Sequence, residues 1–477
     1  MSSLGYTYGD DGPIVALATL LGECALALIR TSGKDALSLV ASVFSRPQAL
    51  HAAAGNTVVY GWIVDKGEKI DEVLVSVYRS PRSYTGEEGA DISCHGGIAA
   101  VQGILRALRR AGFRDSLPGE FTFRAFMNGK LDLTRSESVM ELVGAKTPRA
   151  LRHAVNRLSG GLEQEILGIR DQLVQVLAGT EIFLDYSEDE FVGSPGAADD
   201  EAAGRLPDRA LAEDALTRLH RLLKSYRMER LYHEGALVVL AGRPNAGKSS
   251  LFNRLLKEDR SIVTDIPGTT RDWIEGWLAI EGIPIRLVDT AGIRELESGG
   301  DIEKLGMERS RELLKEAEVV LYVVDGSRPA DREEELRWFS ALLIDPTRLI
   351  PLWNKIDLCP PCAVPDPCSG SFYGISAKTG QGIPELVSAI AARLTQNRGG
   401  SEALGASSGI GTERQKARIL RAIEGVEEAL ALADQGEPLD IIAPLLREGV
   451  NALGEITGVV STADMLEVMF SRFCVGK

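Results

Sequence analysis

The spacing of apolar residues changes period three times along the chain, and each change marks a different kind of structure. Up to about residue 130, short β-branched runs alternate with turn clusters. Asn56-Thr57-Val58-Val59-Tyr60-Gly61-Trp62-Ile63-Val64 and Val73-Leu74-Val75-Ser76-Val77-Tyr78 read as strands, the latter closed by Arg79-Ser80-Pro81. From Leu151 through Val155, Leu158, Leu162, Ile166, Ile169, Leu173 and Val176 the spacing is three or four, with Leu177 adjoining the last, which predicts one long amphipathic helix. Residues 191–200 interrupt with loop composition, and a second helical stretch ends near Tyr232-His233-Glu234-Gly235. Leu237-Val238-Val239-Leu240, Ile285-Arg286-Leu287-Val288, Val319-Val320-Leu321-Tyr322-Val323-Val324 and Leu349-Ile350-Pro351-Leu352-Trp353 are then short apolar strands between helical stretches. That is the signature of a mainly parallel, doubly wound sheet. A Gly/Ser-rich stretch over 397–409 reads as a linker, after which helical spacing returns at Ile419, Leu420, Ile423, Val426 and Leu430, with Pro444 expected to interrupt it.

The expected fold class is therefore a multi-domain α/β and α+β protein: an N-terminal α+β domain over 1–130, a helical domain begun by 131–233, an inserted α/β domain over 234–398, and a linker with the second helical part over 399–477. Packing suggests the insertion, since both helical stretches need partners for their apolar faces. A length of 477 residues suits several such domains.

Charge narrows the function. With 53 Lys+Arg against 68 Asp+Glu the net charge is −15, which excludes a chain-wide basic surface; any nucleic-acid contact is local or made through a partner. The best apolar stretch, 14–29, contains Gly22 and Glu23, so no membrane span is expected. Met1-Ser2-Ser3-Leu4-Gly5 shows neither a basic n-region nor a small-residue cleavage site after an apolar stretch, and six cysteines in so long a chain read as reduced thiols, so secretion is not expected and a cytoplasmic location is.

The chemistry begins at Gly242-Arg243-Pro244-Asn245-Ala246-Gly247-Lys248-Ser249, a G-x-x-x-x-G-K-S loop between a strand and a helical stretch opening at Ser250. Its backbone N–H groups would cradle phosphates, Lys248 would supply charge to the β and γ groups, and the Ser249 hydroxyl would ligate Mg²⁺. Asp289-Thr290-Ala291-Gly292 follows a strand, so Asp289 can reach Mg²⁺ through water while the Gly292 N–H faces the γ-phosphate. Asn354-Lys355-Ile356-Asp357 follows another; the Asp357 carboxylate can accept from guanine N1–H and N2–H₂, which adenine cannot offer. Ser376-Ala377-Lys378 would close over the base. Residues 264–272 have switch-loop composition, with Thr270 the expected Mg²⁺ ligand in the GTP state. Ile293 stands where Ras-like enzymes use a glutamine to orient water, so another group must act, and Glu303 is the favoured carboxylate. The series resembles that of translation-factor-like GTPases.

Flanking blocks extend the resemblance over nearly the whole chain. Ile29-Arg30-Thr31-Ser32-Gly33, Tyr84-Thr85-Gly86-Glu87, Cys94-His95-Gly96-Gly97, Pro118-Gly119-Glu120-Phe121-Thr122, Asn128-Gly129-Lys130-Leu131-Asp132-Leu133, Leu453-Gly454-Glu455-Ile456-Thr457-Gly458 and the tail Phe470-Ser471-Arg472-Phe473-Cys474-Val475-Gly476-Lys477 resemble the MnmE (TrmE) family of tRNA modification GTPases. Ribosome-assembly GTPases share the nucleotide motifs but not these blocks. The resemblance implies a homodimer working on tRNA with an FAD- and NADH-using partner of the MnmG (GidA) family, modifying C5 of the wobble uridine with a one-carbon unit from 5-formyl-tetrahydrofolate or a related formyl or methylene folate.

It also implies folate contacts at Arg30, Asp91, Lys130 and Lys477, and K⁺ held by Asn245 with Thr264, Ile266 and Thr269 and activating hydrolysis on G-domain pairing. Arg271 and Asp272 would serve as switch-loop contacts, and Glu303 would position water. Asp91 and the segment Leu20-Leu21-Gly22-Glu23 depart from the family's usual residues. Cys474 reads either as a nucleophile or as a thiol held near the folate site. Cys359, Cys362 and Cys368 read as a loop rather than a zinc site, and His95 as a turn or packing residue. A competing reading is a nucleotide switch that binds ribosome or RNA without modification chemistry.

Overall fold

The structure is a computed structural model describing residues 8, 10–185, 206–258, 274–289, 312–327, 345–358, 372–396, 409–459, 463–471 and 473–476. It divides into two compact units, Met1–Met140 with Leu453–Lys477, and Glu141–Ala452.

In the first unit, β1 (Ile14–Leu17), β2 (Leu26–Ser32), α1 (Ala36–Ser42), α2 (Pro47–Ala52), β3 (Thr57–Asp65), β4 (Glu68–Tyr78), β5 (Gly89–His95), α3 (Ile98–Ala111), β6 (Arg114–Asp115) and α4 (Glu120–Met127) lead into α5 (Leu133–Gly144). The strands form a six-stranded sheet in the order β3-β4-β5-β2-β1-β6, antiparallel except for the β1–β6 pair. Strand alternation sorts the two faces. Ile29, Val73, Val75, Val77, Ala90 and Ile92 point into a core with Leu37 and Val40 of α1 and Val101, Ile104 and Leu108 of α3. Arg30 and Asp91, one position along on adjacent strands, face the other way and are register partners.

The second unit contains α6 (Pro148–Leu158), α7 (Gly161–Asp185), α8 (Arg209–Glu234), β7 (Ala236–Ala241), α9 (Lys248–Glu258), β8 (Ile274–Ile280), β9 (Ile283–Asp289), β10 (Val319–Asp325), β11 (Leu349–Asn354), β12 (Tyr373–Gly374), α10 (Ile383–Gln396), α11 (Glu413–Asp434) and α12 (Leu439–Thr457), which ends in the first unit's residues. A last helix, α13 (Ala463–Phe470), belongs to the first unit.

The single helix expected from Leu151 onward is two. Gly160, at φ +95, ends α6 in the left-handed region that glycine tolerates, and the apolar stripe does not continue across the break. Leu162, Ile166, Ile169, Leu173 and Val176 of α7 are buried, whereas Leu151 and Val155 of α6 are 44% and 49% exposed. Pro444 does not interrupt the C-terminal helices either. It lies inside α12, which runs on past it although its missing N–H forfeits one i−4 hydrogen bond.

Both helical stretches pack together: α8 lies against α7 and α11, burying Ala215, Leu219 and Leu222 with Ile419, Ile423 and Val426. Arg157 is buried within this unit between Glu141 (2.6 Å) and Glu229 (2.7 Å), so its charge is paired twice over. The inserted sheet has the order β12-β11-β10-β7-β9-β8, parallel except for the β8–β9 hairpin. Along β10, Val319, Leu321 and Val323 enter one core and Val320, Tyr322 and Val324 the other. A strand buried on both faces explains its unbroken apolar run.

Candidate functional site

Four of the parallel strands deliver a polar residue at or just beyond their C-terminal ends, where open α/β sheets bind ligands. β7 runs into the phosphate loop, β9 ends on Asp289, β10 on Asp325 and β11 on Asn354. Two glycines in the loop have no substitute. Gly242, at φ +138, would place a Cβ 2.2 Å from the Val323 carbonyl oxygen, and Gly247, at φ +94, would place one 2.2 Å from Asn354 Nδ2.

Lys248 is buried and donates through Nζ to the Gly242 and Arg243 carbonyls at 3.0 and 2.9 Å, its ammonium held against the loop backbone that would wrap phosphate. Ser249 Oγ donates to Asp289 Oδ2 at 2.8 Å, and Asp289 is fully buried. A hydroxyl and a carboxylate held together at a phosphate loop are the hard oxygen donors that Mg²⁺ takes, so these residues suit the ion. Asn245, at φ +63, and Ser250 are exposed on the same loop and helix start.

Asn354 organises the base end. Its Nδ2 donates to the Ala246 carbonyl at 2.9 Å, and its Oδ1 accepts from the backbone N–H of Lys355 (2.9 Å) and of Ala377 (3.0 Å). One buried amide thus ties the phosphate loop to the Ser376-Ala377-Lys378 turn. Ser376 Oγ donates to Asp357 Oδ1 at 2.7 Å and accepts from Thr379 N–H at 3.1 Å, which fixes the exposed Asp357 carboxylate; Lys378 is exposed beside it.

Lys355 Nζ bridges the Asn245 carbonyl (2.9 Å) and Asp325 Oδ2 (2.6 Å). Sequence reasoning missed Asp325; its only signal was an acid closing the apolar run of β10. Burial raises the Asp325 carboxyl pKa, but hydrogen bonds from Lys355 and Ser327 outweigh that and hold it below the ordinary carboxylate value. Thr264, Ile266, Thr269, Thr270, Arg271, Asp272, Gly292, Ile293 and Glu303 lie outside the described residues, as do Cys359, Cys362 and Cys368. Among the described residues no group of three or more His, Cys, Asp and Glu is placed to hold a metal ion.

A second polar group stands on the outward face of the first unit's sheet. Arg30 Nε donates to Asp91 Oδ1 at 3.0 Å and its NH1 donates to the Gly476 carbonyl at 3.2 Å, so the two ends of the chain meet on one guanidinium. The aromatic rings of Tyr84 and Phe121 lie 5.6 and 5.9 Å from that guanidinium. The Tyr84 hydroxyl lies 2.9 Å from Thr122 Oγ1, and burial raises its pKa. Tyr78 donates to Asp91 Oδ2 at 3.4 Å. Lys130 is exposed and donates to the Pro81 carbonyl at 3.2 Å.

The tail is seated by aromatic packing of Phe123, Phe470 and Phe473 and by a Gly119 N–H bond to the Cys474 carbonyl at 3.2 Å. Cys474 is exposed, and Lys477 lies outside the described residues. His95 Nδ1 sits 2.7 Å from Asp71, which raises its pKa through that bond.

The doubly wound sheet, the phosphate loop with its Ser249–Asp289 pair and the Asn354–Ala377 base turn define a P-loop GTPase. Residues 133–474 match the family profile described as the MnmE helical domain, and residues 13–130 match that described as the GTP-binding protein TrmE N-terminus. Proteins named tRNA modification GTPase MnmE are similar over their full length. That of Treponema denticola is 41% identical over 485 residues, covering 99% of each chain. That of Carboxydothermus hydrogenoformans is 40% identical, covering 98% of this chain and 100% of its own, and that of Symbiobacterium thermophilum 41%, covering 97% and 99%. The chain belongs to the MnmE family.

Proposed function

We propose that this GTPase acts in tRNA modification, working with an FAD-dependent MnmG-type partner to convert C5 of the wobble uridine to an aminomethyl or carboxymethylaminomethyl derivative. The observation that supports it most is the coexistence, in one chain of the MnmE family, of a guanine-type nucleotide site with an Arg30–Asp91 pair reached by the C-terminal tail.

In this reading the loop N–H groups and Lys248 bind the β and γ phosphates, Asp357 selects guanine, and Ser249 and Thr270, with Asp289 through water, would hold Mg²⁺, which supplies charge compensation on the phosphates when bound. Asn245 with Thr264, Ile266 and Thr269 holds K⁺ when two G domains pair, and Glu303 positions the attacking water. Arg30 and Lys130, with Lys477, suit the carboxylates of folate's glutamate tail, while Asp91 suits N–H donors on its pterin edge. Arg30 and Asp91 satisfy each other in this structure, so a bound folate exchanges their mutual bonds for its own. Such a protein works in the cytoplasm as a homodimer.

Calorimetric titration with 5-formyl-tetrahydrofolate tests the folate part. Saturable binding by wild type, lost in Arg30→Ala and in a chain lacking Lys477, is expected. No binding by folded, GTP-hydrolysing wild type would replace this reading with a ribosome- or RNA-binding switch.

A further inference from the structure

Although the whole chain carries −15, residues 215–228 contain Arg218, Arg221, Lys224 and Arg227 and no Asp or Glu. They form the middle of α8, where Ala215, Leu219, Leu222 and Tyr226 point into the protein. Arg218 turns toward α7 and bonds Glu165 and Gln172. Arg221, Lys224 and Arg227 are exposed, as is Thr217, on the opposite side of the helix over a rise of about 9 Å.

None of the three makes an ion pair or side-chain hydrogen bond among the described residues, and five acids on α8 and on the helix packed against it bond to other groups. Glu213 holds Arg209, Asp214 holds Gln172, Glu229 holds Arg157, Glu234 holds Arg230 and Glu427 holds His220. Like charges three residues apart weaken a helix by a few tenths of a kcal/mol per pair, so folding alone gives no reason for this arrangement.

We propose that the solvent face of α8 bearing Arg221, Lys224 and Arg227 docks the phosphate backbone of tRNA. This rests on the tRNA reading above and adds the place of contact. An acidic chain repels RNA at long range, so any contact that this chain itself makes runs through a local cationic patch of this kind. No large apolar residue of α8 is exposed, whereas a protein–protein interface needs an apolar core and a phosphate backbone needs only point charges.

The test uses the full chain and fluorescence anisotropy of labelled tRNA between 50 and 200 mM KCl. It compares wild type with a triple variant, Arg221→Gln, Lys224→Gln and Arg227→Gln, and with the same positions changed to Glu. Binding about tenfold weaker at 100 mM KCl is expected for the Gln variant, with the slope of log K against log salt shallower by about 2–3, the release of three contacts. The Glu variant is expected to bind more weakly still. GTP hydrolysis without tRNA stays at the wild-type rate in both, which shows that the variants fold. Unchanged slope and affinity overturn the assignment, including the case in which the variant loses an acidic protein partner instead. Wild type that binds no tRNA defeats the tRNA reading itself, a result distinct from wild-type binding that the variants do not alter.

Discussion

Replacing Asn354 by alanine removes a buried side chain that joins the phosphate loop to the base turn. Asn354 is 1% exposed and makes three hydrogen bonds, to Ala246 O, Lys355 N and Ala377 N. At about 1 kcal/mol per bond, and more where a buried backbone group is left without a partner, the loss amounts to about 3 kcal/mol. That energy is divided between the free protein, seen as a lower unfolding midpoint, and the bound state. If two-thirds of it falls on nucleotide binding, GDP affinity weakens about 30-fold.

Fluorescent GDP titration gives the affinity and calorimetric melting gives the stability. Asn354→Asp provides the control: it keeps the acceptor for Ala377 but sets a carboxylate against the Ala246 carbonyl, and is expected to bind no better than the alanine variant. A change under threefold in GDP affinity together with an unaltered melting profile would refute the idea that this amide couples the two halves of the site.

Three further outcomes follow from the same geometry. Asp357→Asn exchanges an acceptor pair for one acceptor and one donor, so GTP hydrolysis falls by at least 100-fold while xanthosine triphosphate becomes a substrate; competition kinetics checks this. Because the folded Asp325 carboxyl lies below its unfolded value, its bond to Lys355 contributes stability that is fully present above about pH 4 and fades as pH falls through the folded value. Asp325→Asn is therefore less stable than wild type by a constant amount at pH 5–7, and the gap closes in acid, as measured by urea unfolding. Burial pushes the Cys94 thiol up to about 11, while Cys24 and Cys474 are exposed. Iodoacetamide at pH 8 followed by peptide mass spectrometry should find Cys24 and Cys474 modified in native protein, with Cys94 reached only after unfolding.

The described parts of the nucleotide loop and base turn were legible because each is a short contiguous string at a strand end, and strands buried on both faces announce themselves as unbroken apolar runs. Asp325 was not, because a lone acid carries no signal until the sheet order sets β10 beside β11 and brings it to Lys355. The break at Gly160 escaped a reading of period alone: apolar spacing in the sequence runs through a left-handed glycine even though the helix ends there. Arg30 and Asp91 were each readable as candidate ligands, but their pairing depends on a strand register set by residues on the buried face. The meeting of Gly476 with Arg30 is longer-range still. It depends on Phe470 and Phe473 packing with Phe123, three aromatic residues with no shared period in the sequence.

The measurement that bears most directly on the central claim is nucleoside mass spectrometry of unmodified tRNA incubated with this chain, an MnmG-type partner, GTP, K⁺, FAD, NADH and a formyl-tetrahydrofolate, with glycine and ammonium each tested as the nitrogen source. The account predicts a C5-modified wobble uridine that disappears when GTP is replaced by GDP or when Asn354→Ala is used. Unmodified wobble uridine, despite full GTP hydrolysis and an active partner, would contradict it.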